Sequence, residues 1–263
     1  MKSKEIFLSV IIPCYNEEAN LDRGVLDQVR QYLEKQKFPW EVIISDDGST
    51  DRSLKIVSRA IKDFKDFRVL KNKHGGKPWA VWQGVKAAKG EWVLFTDMDQ
   101  STPIDQLKKL LPWTRKGFLA IIGSRGVERK NFPFFRKLGA LVFRNFRKIL
   151  LLRKINDTQC GFKLFKTEMV RSFFPKLDVL QKKASGWTVT SYDVELLFMI
   201  SKSGRKIKEV VVDWQDRDVS TSKGKNYFAR YFKESKDMTK QVIAVRLNER
   251  RGKYNHLESK SKN

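Results

Sequence analysis

Two cysteines, Cys14 and Cys160, and two histidines, His74 and His256, are all that the 263 residues hold of either type. The cysteines are too far apart in sequence to suggest a disulfide framework. Soft-ligand zinc sites and Ser-His-Asp hydrolysis have little material to work with. Long apolar runs are missing too: the longest uncharged stretch, Ile6 to Asn16, is eleven residues, short of the roughly 18 that span a bilayer. Glu5 interrupts the basic start, and Pro13-Cys14-Tyr15-Asn16-Glu17-Glu18 stands where a signal peptide would carry small residues. The stretch therefore reads as a first strand, and the expected address is the cytoplasm. Acids are scarce as well: 30 Asp and Glu against 54 Lys and Arg leave a net charge of +24. That excess predicts a polyanionic neighbour, whether nucleic acid, an anionic bilayer or phosphorylated substrates.

A hydrophobic share of 41% is enough to build a core. In the first half, strand and helix patterns alternate. Ile6–Ile12 is β-rich and expected to stop at Pro13, and Leu21, Val25, Val29, Tyr32 and Leu33 then recur at helical spacing. Glu41–Ser45, Phe67–Leu70, Trp92–Thr96 and Leu119–Ile122 read as further strands, with helical patterns between the first three. This order implies a parallel sheet covered by helices on both faces, with ligands beyond the carboxyl ends of its strands. Later, Val210–Val212 reads as a last strand, a helix enters at Asp193, and a basic helix and tail run from about Gly224. The expected division is 1–223 for the main domain and 224–263 for the basic helix and tail.

Carboxylates gather where these strands end. Asp97-Met98-Asp99 closes the fourth strand, and residues two apart in an extended segment face the same way. Both side chains are then able to reach one hard cation such as Mg or Mn; the alternative is a helix cap at Asp97 and a solvated Asp99. Asn16 and Glu17 follow the first strand and Asp46-Asp47-Gly48-Ser49-Thr50-Asp51 the second. Such acceptors suit base N–H groups and ribose hydroxyls, although each cluster alone also reads as an Asx turn or cap.

The series Ile-Pro-x-Tyr-Asn-Glu, Asp-Asp-Gly-Ser-x-Asp, Gly-Lys and Asp-x-Asp resembles glycosyltransferase family 2, inverting nucleotide-sugar enzymes of GT-A fold, an α/β Rossmann-like architecture. Within that family the chain is similar to the dolichyl-phosphate and polyprenyl-phosphate glucosyl- and mannosyltransferases, over roughly residues 6–223. The strings carrying this are Phe95–Pro103, Gly123-Ser124-Arg125, Asp157-Thr158-Gln159-Cys160-Gly161-Phe162-Lys163 and Tyr192–Leu197.

The resemblance implies that Pro13, Tyr15, Asn16, Glu17, Asp46, Asp47, Lys77 and Asp97 serve the nucleotide sugar, UDP-glucose before GDP-mannose. Asp97 and Asp99 would hold the metal. Arg125 and Arg136, then Lys163 and Lys223, would serve the acceptor phosphate. Asp193 would hold the sugar or, for a hydroxyl acceptor, act as base; its other reading is a helix cap. Two positions depart from the family pattern. Ser101 stands where relatives carry a metal-ligating Gln, with Gln100 one residue earlier, and Gly75-Gly76-Lys77-Pro78-Trp79 replaces Gly-Lys-Gly.

Lys130 to Lys154 holds eight Lys or Arg and no acid. On a helical wheel Leu138, Val142, Phe143, Phe146, Ile149 and Leu150 share a stripe opposite Arg136, Lys137, Arg144, Arg147 and Lys148, a pattern that suits a membrane interface. The expectation is a peripheral enzyme on the cytoplasmic face of a membrane, bound directly or through a membrane-protein partner. An alternative keeps the donor and uses a saccharide or glycolipid hydroxyl as acceptor. A nucleic-acid-binding protein is the reading from charge alone; no motif supports it.

Overall fold

The computed structural model describes residues 5–126, 151–181, 192–219 and 227–257. Strand β1 (Leu8–Cys14) is buried along its whole length, so it reads as an unbroken apolar run and not as an alternating one. It lies inside one seven-stranded sheet with β2 (Trp40–Asp46), β3 (Phe67–Lys71), β4 (Trp92–Phe95), β5 (Ala120–Ser124), β6 (Lys163–Lys166) and β7 (Ile207–Val211), in the order β3-β2-β1-β4-β6-β5-β7. Around it stand α1 (Glu18–Leu21), α2 (Val25–Leu33), α3 (Ser53–Ala60), α4 (Lys77–Ala87), α5 (Leu107–Leu110), α6 (Thr167–Phe173), α7 (Asp178–Gln181), α8 (Tyr192–Lys202) and α9 (Tyr227–Arg250). This is the expected mostly parallel, helix-covered architecture.

Three expectations are corrected. Pro13 does not end β1, which runs on to Cys14. Ile11 bonds towards the β4 side, and Pro13 has the same parity, but β4 has ended at Phe95. The N–H that proline lacks is therefore not needed there. The helical pattern from Leu21 to Leu33 is two helices, broken at Gly24, which adopts φ 69°. A strand also stands where none was read: β6 pairs antiparallel with both β4 and β5. The four residues Lys163–Lys166 are too short and too charged at their ends to announce a strand. Running the other way, β6 begins beside Phe95 and Ile122, near the ends of β4 and β5. The loop before it thus reaches the same edge as the loops that follow the parallel strands.

Each face of the sheet carries its own core. Ile11, Ile43, Phe95 and Phe165 pack with Val85, Phe174 and Leu196 on one side. Ile12, Ile44, Leu94 and Leu164 pack with Val29, Leu33 and Leu107 on the other. Alternate residues of one strand thus feed opposite layers, each buried aliphatic side chain contributing about 1.5–3 kcal/mol. Val245, Tyr254 and Leu257, from the end of α9 and the chain beyond it, belong to the first of these cores. Among the described residues no helix is long and apolar enough to cross a membrane. The stripe from Leu138 to Leu150 lies outside the described residues.

Gly90, just before β4, donates its N–H to Ser9 Oγ at 2.8 Å. A Cβ there would stand 2.5 Å from the Ser9 backbone nitrogen and 2.7 Å from the Leu8 carbonyl carbon. Backbone cannot swing aside as a side chain does. Gly90→Ala should lower stability by about 1–3 kcal/mol, read as an earlier urea midpoint at unchanged slope; an unshifted midpoint contradicts the packing.

Candidate active site

The loops after β1 and β2 hold each other. Asn16 has φ 53°, a left-handed geometry that asparagine tolerates better than most residues. Its Oδ1 accepts the Thr50 N–H at 2.8 Å, and its own N–H donates to Ser49 Oγ at 3.1 Å. Asp46 accepts from Gly48 N–H, Ser49 N–H and, at 2.6 Å, the Ser49 hydroxyl. That is an Asx turn. Asn16 and Asp46, expected to face a nucleotide, are thus engaged in loop construction. Pro13 is buried within β1. Glu17 accepts from the Asn20 amide at 2.6 Å.

Asp47 is fully buried, and its carboxylate governs a third loop. Oδ1 accepts from Gly75 N–H at 3.0 Å, Oδ2 from Gly76 N–H at 2.8 Å, and His74 Nδ1 stands 2.9 Å from Oδ2. Burial raises its pKa, although these donors pull the other way. The His74 ring stacks on Tyr15, with centroids 4.5 Å apart. Asp47 therefore supports the site from beneath. The bulk of Trp79 finds its place because Gly75 has no Cβ: one would meet the Trp79 ring at 2.6 Å.

This clamped loop delivers Lys77 at the start of α4, with Nζ 2.5 Å from Asp97 Oδ1. Burial opposes the ammonium charge, but Asp97, with Asp193 and Asp99 behind it, holds its pKa above the usual lysine range. The two acids of Asp97-Met98-Asp99 do not project from an extended strand as the spacing suggested. β4 stops at Phe95 and a turn follows, in which Gln100 N–H donates to the Asp97 carbonyl at 3.2 Å. The turn still leaves the carboxylates close: burial first, then the Asp97 charge, raises the Asp99 pKa.

Gly161 makes the space, since a Cβ there would fall 2.1 Å from Asp97 Oδ2. Gln100, at φ 49°, turns its amide N–H to Thr96 Oγ1 and the Asp97 carbonyl. Ser101 Oγ accepts the Arg217 N–H. Among the described residues, no three His, Cys, Asp or Glu side chains gather into a complete metal site. Two hard carboxylates beside an open edge nonetheless fit a Mg- or Mn-like cation that takes its other ligands from water and phosphate.

Asp193, in the first turn of α8, lies 3.1 Å from Lys163 Nζ. Lys163 is 1% exposed and also donates to the Cys160 carbonyl. Lys163, expected at an acceptor phosphate, instead stands under Asp193. Burial raises the Asp193 pKa against the pull of Lys163 and Lys77. Arg125, expected at the acceptor phosphate, is paired with a carboxylate: Nε and Nη2 donate to Asp157 at 2.7 and 2.8 Å. Burial resists both charges, yet the pair wins, holding Asp157 far below the usual carboxylate range and Arg125 above its own. Glu209 of β7 in turn accepts the Asp157 N–H at 2.7 Å. Arg136 and Lys223 lie outside the described residues.

Sequence reasoning gave no role to Asp157, Gly161 or His74, although the first two stand inside the Asp157–Lys163 string. It also passed over Asn20, fully buried, which donates to Asp218 Oδ1 and accepts the Val219 N–H. Gln215 N–H donates to the Ser101 carbonyl, so the chain after β7 straps the Asp99 turn to α1.

Because the folded pKa of Asp157 is depressed, its stabilisation is complete above the unfolded value of about 3.9 and is lost as pH falls towards the folded one. Asp157→Asn should cost about 3 kcal/mol or more at pH 7, since it leaves Arg125 buried and unpaired. The gap to the parent should narrow steadily below about pH 4. Urea titrations from pH 7 to 3 measure it; a gap independent of pH refutes the pairing.

Comparison with known proteins agrees with this geometry. The sequence profile described as Glycosyl transferase family 2 matches residues 9–174. A dolichyl-phosphate beta-glucosyltransferase of Dictyostelium discoideum is 33% identical over 260 residues, covering 92% of this chain and 74% of its own. The enzyme of the same name from Saccharomyces cerevisiae is 32% identical, covering 82% and 69%. Among solved structures, a mannosyltransferase from Pyrobaculum calidifontis in complex with GDP-Man and Mn2+ superposes with TM-score 0.62 at 18% identity, covering 94% of this chain and 65% of that one. Glucosyl-3-phosphoglycerate synthase from Mycobacterium tuberculosis, in complex with Mn2+, UDP-Glc and phosphoglyceric acid, gives TM-score 0.63 at 19% identity, covering 92% and 80%. The structures establish the shared fold, and the sequence matches establish the kinship: this chain belongs to glycosyl transferase family 2, in the group of the dolichyl-phosphate beta-glucosyltransferases.

Proposed function

We propose that this protein transfers glucose from UDP-glucose to dolichyl phosphate, or a similar polyprenyl phosphate, with inversion at the anomeric carbon. The observation that carries the reading is the cluster of Asp97, Asp99, Asp193 and Lys77 at the sheet edge, in a chain 33% identical to a dolichyl-phosphate beta-glucosyltransferase. The names of those relatives favour glucose over mannose.

Asp97 and Asp99 are the residues that would hold a divalent cation, Mg or Mn. Bound there, it would supply charge neutralisation for the diphosphate leaving group. Lys77 adds a fixed positive charge at the same place, and Tyr15, backed by His74, offers a ring face for the base. Asp193, set by Lys163, suits the hydroxyls of the sugar. A phosphate acceptor is already anionic at neutral pH, so it needs little help from a base, and the remaining tasks are alignment and charge neutralisation. Among the described residues Arg125 commits only Nε and Nη2 to Asp157, which leaves its Nη1 donors for an acceptor phosphate. Arg136 and Lys223 are assigned to the same role on sequence grounds. The basic, Phe-rich stretch from Lys130 to Lys154 would bring the enzyme to an anionic cytoplasmic membrane surface.

Asp99→Ala should lower glucose transfer by about 10²-fold or more with the fold intact, and excess chelator should silence the parent. Gly161→Ala should act like a mutation of Asp97, because the new methyl group takes the carboxylate's place. Labelled UDP-glucose and GDP-mannose, offered with a short polyprenyl phosphate in detergent, test all three. Full turnover of Asp99→Ala in chelator removes the metal from the proposal, and preference for GDP-mannose removes glucose.

A further inference from the structure

Glu195 lies two residues beyond Asp193 in the Tyr192–Leu197 string, on the other side of α8, since two helical positions turn through about 200°. Asp193 faces Lys163 and the site. Glu195 faces away, is 1% exposed, and meets the end of the chain: Oε1 accepts the Tyr254 hydroxyl at 2.8 Å and stands 3.8 Å from Lys253 Nζ. Oε2 accepts the N–H of Asp178, the first residue of α7, at 3.0 Å. Asp178 closes the circuit by pairing with Lys253 and accepting the Asn248 amide at 2.6 Å. Tyr254 is 1% exposed and packs edge-on against Phe198 of α8, with centroids 5.4 Å apart.

A carboxylate this deeply buried is costly unless its acceptors are filled, and the partners that fill them come from two separate segments. Adding aliphatic contact alone would not fix the angular setting of α8, because apolar contact is non-directional. Directed hydrogen bonds do. We infer that Glu195 and the segment Asn248–Tyr254 form a brace that sets the position of Asp193, making Glu195 and Tyr254 positioning residues for glucose transfer. The inference rests on the role given to Asp193 under the proposed function.

Four variants test it, in the full chain: Tyr254→Phe, Asp193→Asn, the two combined, and Leu257→Ala. Tyr254→Phe removes one hydrogen bond and keeps the ring. It should lower kcat about tenfold, the scale of a sub-ångström misplacement, with the KM for UDP-glucose changed less than about twofold. Combined with Asp193→Asn it should cause no further loss, because the group it positions is already gone. Leu257→Ala, which loosens the same segment without touching Glu195, should lower Tm and leave kcat near that of the parent. Multiplicative losses in the double variant overturn the brace, as does an unchanged kcat in Tyr254→Phe. A kcat loss in Leu257→Ala equal to that of Tyr254→Phe also overturns it, since general loosening then suffices. Full activity of Asp193→Asn is a separate result: it removes the role of Asp193, and the brace with it.

Discussion

Like charges resist being gathered, and this sheet edge gathers three carboxylates from one loop and a helix. The Lys77–Asp97 ion pair makes that arrangement possible. Burial works against the gathering, raising Asp99 and Asp193 and opposing the ammonium of Lys77. Two lysines, Lys77 and Lys163, stand among the three acids, so the acids stay in excess and favour further positive charge. Lys77 is held at its post by a buried carboxylate. Asp47 takes two consecutive glycine N–H groups and leaves the loop little choice but to present Lys77 inward. The core packs around this requirement: β1 and β2, which carry two of these loops, are among the most completely buried parts of the molecule.

The parallel half of the sheet was legible because its strands are continuous apolar runs punctuated by polar loops, and burial on both faces demands that pattern. Helix positions followed from spacing. The site was legible as a place, since every singled-out residue from Tyr15 to Asp193 within the described residues falls at one edge. Partnerships were not. Nothing in the residue types of Arg125 and Asp157 says that they meet, because they come from loops 32 positions apart and only the sheet order joins them. Lys163 reads as a candidate for the acceptor phosphate, and lysines are seldom buried; its burial against Asp193 comes from a helix further along the chain. Asn16, Asp46 and Asp47 carry the same chemistry whether they bind a ligand or a neighbouring loop, and only geometry shows which N–H groups they face.

The antiparallel strand β6 also has a bearing on how the chain assembles. It fills the gap between β4 and β5, which precede it in sequence. Until residues 163–166 arrive, these two strands have no partner on their facing sides, and each presents open backbone groups. The sheet therefore cannot close in the order in which the chain is made. Its β3-β2-β1 part can form from near neighbours, whereas β4 joins it across the long span from Leu8 to Trp92 and β5 meets β4 only through β6. The Arg125–Asp157 side of the sheet edge therefore takes shape only after residues 157–166 have been made, later than the edge built by the loops after β1 and β2.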